Sequence, residues 1–148
     1  MIALNQLRLT HRVKPREAIM AQFPMTNDRK SVLERIPDYA VTISPVDNRL
    51  TIRHQDTVIA ESSDALLIQE SRHGDVYYLP RSDVNMELLQ ATDLSTYCPF
   101  KGHASYWSLE GVEDLENFVW SYEDPFAEVS ALKDYMSFYT NKVEIIVD

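Results

Sequence analysis

Tyr39-Ala40-Val41-Thr42-Ile43, Leu50-Thr51-Ile52-Arg53-His54 and Thr57-Val58-Ile59-Ala60-Glu61-Ser62 follow one another with short polar breaks between them. In each, β-branched or aromatic residues recur with a period of two, the pattern of a strand with one face turned inward. Asp47-Asn48 and Gln55-Asp56 supply the turns. Leu66-Leu67-Ile68-Gln69-Glu70 and Val76-Tyr77-Tyr78-Leu79, on either side of His73-Gly74-Asp75, predict a fourth and a fifth strand. The first half of the body therefore reads as a meander of short antiparallel strands.

The pattern breaks over Arg81 to Thr92, where Ser82 could cap one or two helical turns with Met86, Leu88 and Leu89 facing inward. Three further strands are expected at His103 to Leu109, Asn117 to Tyr122 and Lys142 to Val147. Ala127 to Tyr139 reads as helix then strand, or as an irregular crossing. Eight short strands with little helix predict a mainly β domain of two packed sheets or a partly closed barrel. Residues 1–38 read differently, as an N-terminal extension rich in basic residues and punctuated by Pro15, Pro24 and Pro37. Thr26 or Asn27 could cap a short helix there with Val32, Leu33 and Ile36 on one face. That helix must end near Ile36, because the residue before a proline is pushed out of the α region. The expected organisation is an extension with a short helix over 1–38, acting as a strap on one edge, and a single β domain over 39–148.

At 148 residues, with 45% apolar and 25% charged residues, the chain has the length and balance of one globular domain. Its charge is uneven. Residues 1–54 hold nine Lys/Arg against five Asp/Glu, net +4, and residues 55–148 hold five against eighteen, net −13. An acidic body repels phosphate backbones, so nucleic acid is not the expected partner. One cysteine permits no internal disulfide and no Cys-rich zinc site. Met1 to His11 has no apolar stretch long enough for a signal peptide, and no run approaches a membrane span. A cytoplasmic protein with no membrane partner, no metal and no cofactor is expected. An exposed strand edge would allow a homodimer.

The richest stretch is Thr96-Tyr97-Cys98-Pro99-Phe100-Lys101-Gly102-His103-Ala104-Ser105-Tyr106-Trp107. It concentrates the lone cysteine, one of three glycines, one of two tryptophans and an isolated lysine. Together with Tyr77-Tyr78-Leu79-Pro80-Arg81-Ser82-Asp83-Val84, Trp120-Ser121-Tyr122-Glu123-Asp124-Pro125 and Tyr135-Met136-Ser137-Phe138-Tyr139, it resembles four blocks of one family in order and spacing. That family is the bacterial and fungal domain of unknown function 427, sometimes labelled nucleotidyltransferase-like. The resemblance covers about residues 39–148 and implies a small two-sheet fold of the β-tent, or Mss4-like, type. The chain departs from many proteins of that fold in lacking the paired CxxC motifs that hold zinc. Nucleotidyl transfer is also poorly served. It needs carboxylates gathered on adjacent strands for magnesium, whereas Glu113-Asp114 and Glu123-Asp124 are sequence neighbours that would point to opposite faces in strands.

Three groups of residues could carry chemistry. Cys98 is a candidate catalytic nucleophile if Lys101 or His103 lowers its thiol pKa; otherwise it is a small buried apolar residue. Arg81, Asp83 and Lys101 could hold an anionic group, with Arg81 bidentate, or Arg81 could lock a loop by pairing with Glu70 or Asp83. Tyr78, Tyr106, Trp107, Trp120 and Tyr122 could line a concavity for a flat or cationic ligand, or form the core. His11, His54 and His73 lie in separate segments without metal-ligand spacing, and Ser62-Ser63 reads as a strand end rather than a nucleophile. The expected function is a small-molecule binding domain, with the unknown ligand against Trp107, Trp120 and Tyr122 and fixed by Arg81 and Lys101. The alternatives are an enzyme using Cys98 or the Arg81/Asp83/Lys101 cluster, and a protein-interaction module.

Overall fold

The computed structural model describes residues 39–71 and 73–148. The expected helix near Val32–Ile36 and the strap it belongs to lie outside them. Ten strands run in chain order: β1 (Val41–Pro45), β2 (Leu50–His54), β3 (Thr57–Ser62), β4 (Leu66–Glu70), β5 (Val76–Pro80), β6 (Leu89–Cys98), β7 (Gly102–Leu109), β8 (Val119–Ser121), β9 (Tyr135–Phe138) and β10 (Glu144–Val147). Short 3-10 turns fill Arg81–Asp83, Met86–Leu88, Glu113–Leu115 and Ala127–Leu132. The fold is mainly β, and among the described residues no helix is long and apolar enough to cross a membrane.

The strands form two antiparallel sheets, one of seven in the order β1-β4-β5-β9-β8-β7-β6 and one of three in the order β10-β2-β3. The meander expected for the first half is thereby corrected. β2–β3 and β4–β5 are hairpins, but β1 pairs with β4, and β2–β3 leave for the second sheet. Pro45 ends β1, and Val46 donates its backbone N–H to the Ala65 carbonyl at 2.9 Å, so the chain turns away instead of folding back on β1. β6 was not expected as a strand. The one or two helical turns expected over Arg81–Thr92 are two 3-10 turns, with Ser82 inside the first rather than capping it, before β6 begins at Leu89.

The large sheet is apolar on both faces, so both must be covered. One face carries Leu79, Trp107, Leu109, Val119, Met136 and Phe138, and packs against Leu50, Ile52 and Ile59 of the small sheet. The other carries Ile68, Tyr78, Ala104, Tyr106 and Trp120. It is covered by Cys98 and Phe100 from the β6–β7 turn, Val129 and Leu132 from a 3-10 turn, and Tyr39 at the head of β1. Gly102 at the start of β7 has φ +116°, a conformation that side chains strain, so the backbone there favours glycine.

Candidate functional site

The candidate residues are divided by the large sheet. β7 and β8 pair with Tyr106 opposite Trp120 and Trp107 opposite Val119. Successive strand residues point to opposite faces, so Trp107 and Trp120 face away from each other. The concavity expected from Trp107, Trp120 and Tyr122 together is not assembled, and the pleat of β7 is the reason. Trp120 and Tyr122 do share a side, as their spacing requires, but at 0% and 1% exposure they fill the core.

On their face lies the most polar part of the interior. Lys101 pairs with Glu70, the two side chains being 0% and 2% exposed. Tyr39 donates its hydroxyl to Glu70 Oε2 at 2.6 Å, and its ring stacks on Phe100 at 4.3 Å. Burial penalises both charges, yet their mutual attraction outweighs it: the Glu70 carboxyl is held below its usual range and the Lys101 amine above its own. Burial pushes the Cys98 thiol up, and nearby Lys101 only partly offsets this. A protonated thiol at 2% exposure is a poor nucleophile. Trp120 donates its indole N–H to the Tyr78 hydroxyl at 3.2 Å, and burial raises the Tyr122 phenol well above its usual range. The polar groups of this face answer one another, and Lys101 is committed to Glu70 rather than to an anionic ligand.

Arg81 and Asp83 belong to the opposite side. Arg81 lies over the Trp107 ring, 5.2 Å from its centroid, and donates from Nη1 to Glu123 Oε2 at 3.3 Å. Asp83 accepts from the Ser62 hydroxyl at 2.6 Å, and the Ser62 oxygen accepts from the Asp64 backbone N–H at 3.0 Å. Ser62 thus closes the end of β3 and ties it to the turn after β5. Arg81, Asp83 and Lys101 do not form one cluster, because each has its own partner. His103 is exposed beside the Tyr97 ring, with 4.9 Å between ring centroids.

An open groove of about 620 Å³ begins at Asp83. Its lining includes the apolar residues Pro45, Val46, Leu66, Pro80 and Tyr135, and the polar residues Asp47, Ser63, Asp64, Ser82 and Asp83. No Lys, Arg or His is among its described lining residues. Nor do any three His, Cys, Asp or Glu side chains among the described residues converge to hold a metal ion. Asp83 is the only sequence-predicted site residue in this groove. Sequence reasoning missed Asp64 and Tyr135 here, because only the long-range pairing of β9 with β5, on the side opposite β4, brings them to the same groove.

The family model for the domain of unknown function (DUF427) matches residues 42–148. The chain belongs to that family. No curated protein matches it. All four quoted sequence blocks of the family lie within the matched span, so both the buried Lys101 and the groove residue Asp83 are positions of the family domain. Tyr39, which holds Glu70, precedes that span by three positions.

Proposed function

We propose that this family member is a small-molecule binding domain whose site is the groove at Asp83. One observation carries the reading: the groove is open, sets Val46, Leu66 and Tyr135 beside three carboxylates, and has no cationic residue among its described lining residues. That lining suits a ligand with an apolar body and a cationic or donor-rich end. An ammonium would meet Asp64 and Asp83, with its carbon skeleton against Val46, Leu66 and the Tyr135 ring. The anion contact expected from Arg81 and Lys101 loses ground, since each is already engaged by a glutamate. The enzyme reading through Cys98 loses ground with the burial of the thiol. The β-tent, Mss4-like assignment belongs to this proposal too, resting on a small sheet packed over a large one. So does a cytoplasmic setting, which would keep the lone thiol reduced.

The test compares matched fragment amines and carboxylates by ligand-observed NMR. Amines with an aliphatic or aromatic body should bind in preference to the carboxylates of the same shape. Asp64→Asn and Asp83→Asn should each weaken amine binding by about tenfold, the worth of one charge-assisted hydrogen bond. Equal binding of both charge types, or no response to either substitution, contradicts the proposal.

A further inference from the structure

We infer that the outer edge of β10 is a docking site for an extended basic peptide, which adds to the small sheet as a fourth strand. The four sheet edges are managed differently. β1 ends in Pro45, and β6 carries a register irregularity between Ala91 and Ser95. β3 is partly covered, with Ala60 bridged to Val84 and the Ile59 carbonyl accepting from the Asn85 N–H at 2.9 Å. These are the usual protections of an edge. Among the described residues β10 has no proline, register shift or cover, and its protection is limited to its length of four residues and to Glu144, which pairs with Arg53 of β2. Glu144-Ile145-Ile146-Val147 holds three β-branched residues in succession and no proline, glycine or lysine, and β2 is its only strand neighbour there.

Beside that edge the small sheet stops short of the large one and leaves a groove of about 330 Å³. Tyr77 and Phe138 of the large sheet form one wall, and Val143, Ile145 and Val147 form the other. Val147 is 48% exposed, one of the few large apolar residues so open. A strand laid on β10 would place alternate side chains in this groove and the intervening ones toward solvent, the arrangement of β-strand addition. Charge selects the occupant. Asp75 lines the groove and Asp148 follows the strand. Residues 39–148 hold seven Lys/Arg against nineteen Asp/Glu, net −12. A second copy of the chain would bring two such acidic bodies together, whereas a peptide with apolar residues at alternate positions and lysines between them meets opposite charge.

The test uses the full-length protein, isotope-labelled for NMR, and a capped peptide Lys-Val-Lys-Leu-Lys-Val-Lys-Leu, with the same peptide carrying Glu for Lys as control. The lysine peptide should shift the amides of Ile145, Ile146 and Val147 and slow their hydrogen exchange by about tenfold. The glutamate peptide should not. Val147→Asp adds an attractive charge but fills the groove mouth with a carboxylate; docking predicts about fivefold weaker binding, whereas non-specific attraction predicts tighter binding. Tighter binding by that variant overturns the inference, as do equal binding of both peptides and shifts centred at Asp64 and Asp83. So does protection of β10 amides before any peptide is added, or concentration-dependent dimerisation that provides it, since either means that the edge has another occupant.

Discussion

Glu70 and Lys101 show how a single pair of charges shapes the interior of this domain. Neither could remain ionised alone at that depth, because an unpaired buried charge costs several kcal/mol. Glu70→Gln should therefore destabilise the protein by about 3–5 kcal/mol, read from urea denaturation, because it strands the ammonium. The double change to Glu70→Leu with Lys101→Met should cost far less than the two single losses combined, since nothing charged is left behind. Additive losses would mean that the two side chains do not act as a pair. The pH dependence follows from the same shifts. Glu70 titrates lower folded than unfolded, so its contribution is complete above the ordinary glutamate range and drains as pH falls through the lower folded value. Lys101 titrates higher folded, so its contribution is complete below the ordinary lysine range and is lost only as pH rises through the raised value. Urea midpoints should be level between those limits and fall at the acidic end first. Half of this pair was legible in the sequence. Leu66, Ile68 and Glu70 fall on one face of a period-two strand, so the strand itself aims a carboxylate at the core. Which cation meets it was not legible, because Lys101 arrives from a turn 31 residues away.

At the level of elements, hairpins joined by short polar turns were readable and long-range pairing was not. The expected limits of β2, β3 and β4 agree with the structure, because alternation and turn residues are both local signals. β6 escaped notice because it is an edge. Gln90, Ala91, Asp93, Leu94 and Ser95 are all exposed, so no face of the strand is uniformly apolar. The division of the aromatic residues was readable in principle, since adjacent residues Tyr106 and Trp107 cannot share a face of one strand. Predicting that Trp120 joins Tyr106 also required the β7–β8 register, which no local pattern carries. The β6–β7 connection depends on one residue of special conformation. Gly102→Ala should destabilise the domain by about 1–2 kcal/mol, because alanine is strained at φ +116°. Thermal unfolding checks it, and an unchanged midpoint would mean that the turn relaxes freely.

As a whole molecule, the domain is one large sheet with two covered faces, and this sets where a ligand has access. The face that holds Cys98, Lys101, Trp120 and Tyr122 is a buried core in which Lys101 is paired with Glu70 and Trp120 with Tyr78. The blocks most distinctive in sequence are therefore distinctive largely because they build that core. The open surface lies at the end of β5, lined by Leu66 and Tyr135 from one core and Val46 from the other, with Asp64 and Asp83 beside them. Composition announced an acidic body, but only the fold gathers three of its aspartates in one groove with Val46, Leu66 and Tyr135. Amide shift mapping of the labelled protein against a cationic aromatic fragment such as phenethylamine tests this placement most directly. The account predicts shifts centred on Val46, Asp64, Asp83 and Tyr135 with the core amides unmoved; shifts centred on Lys101, Trp120 and Tyr122 would contradict it and return the site to the aromatic interior.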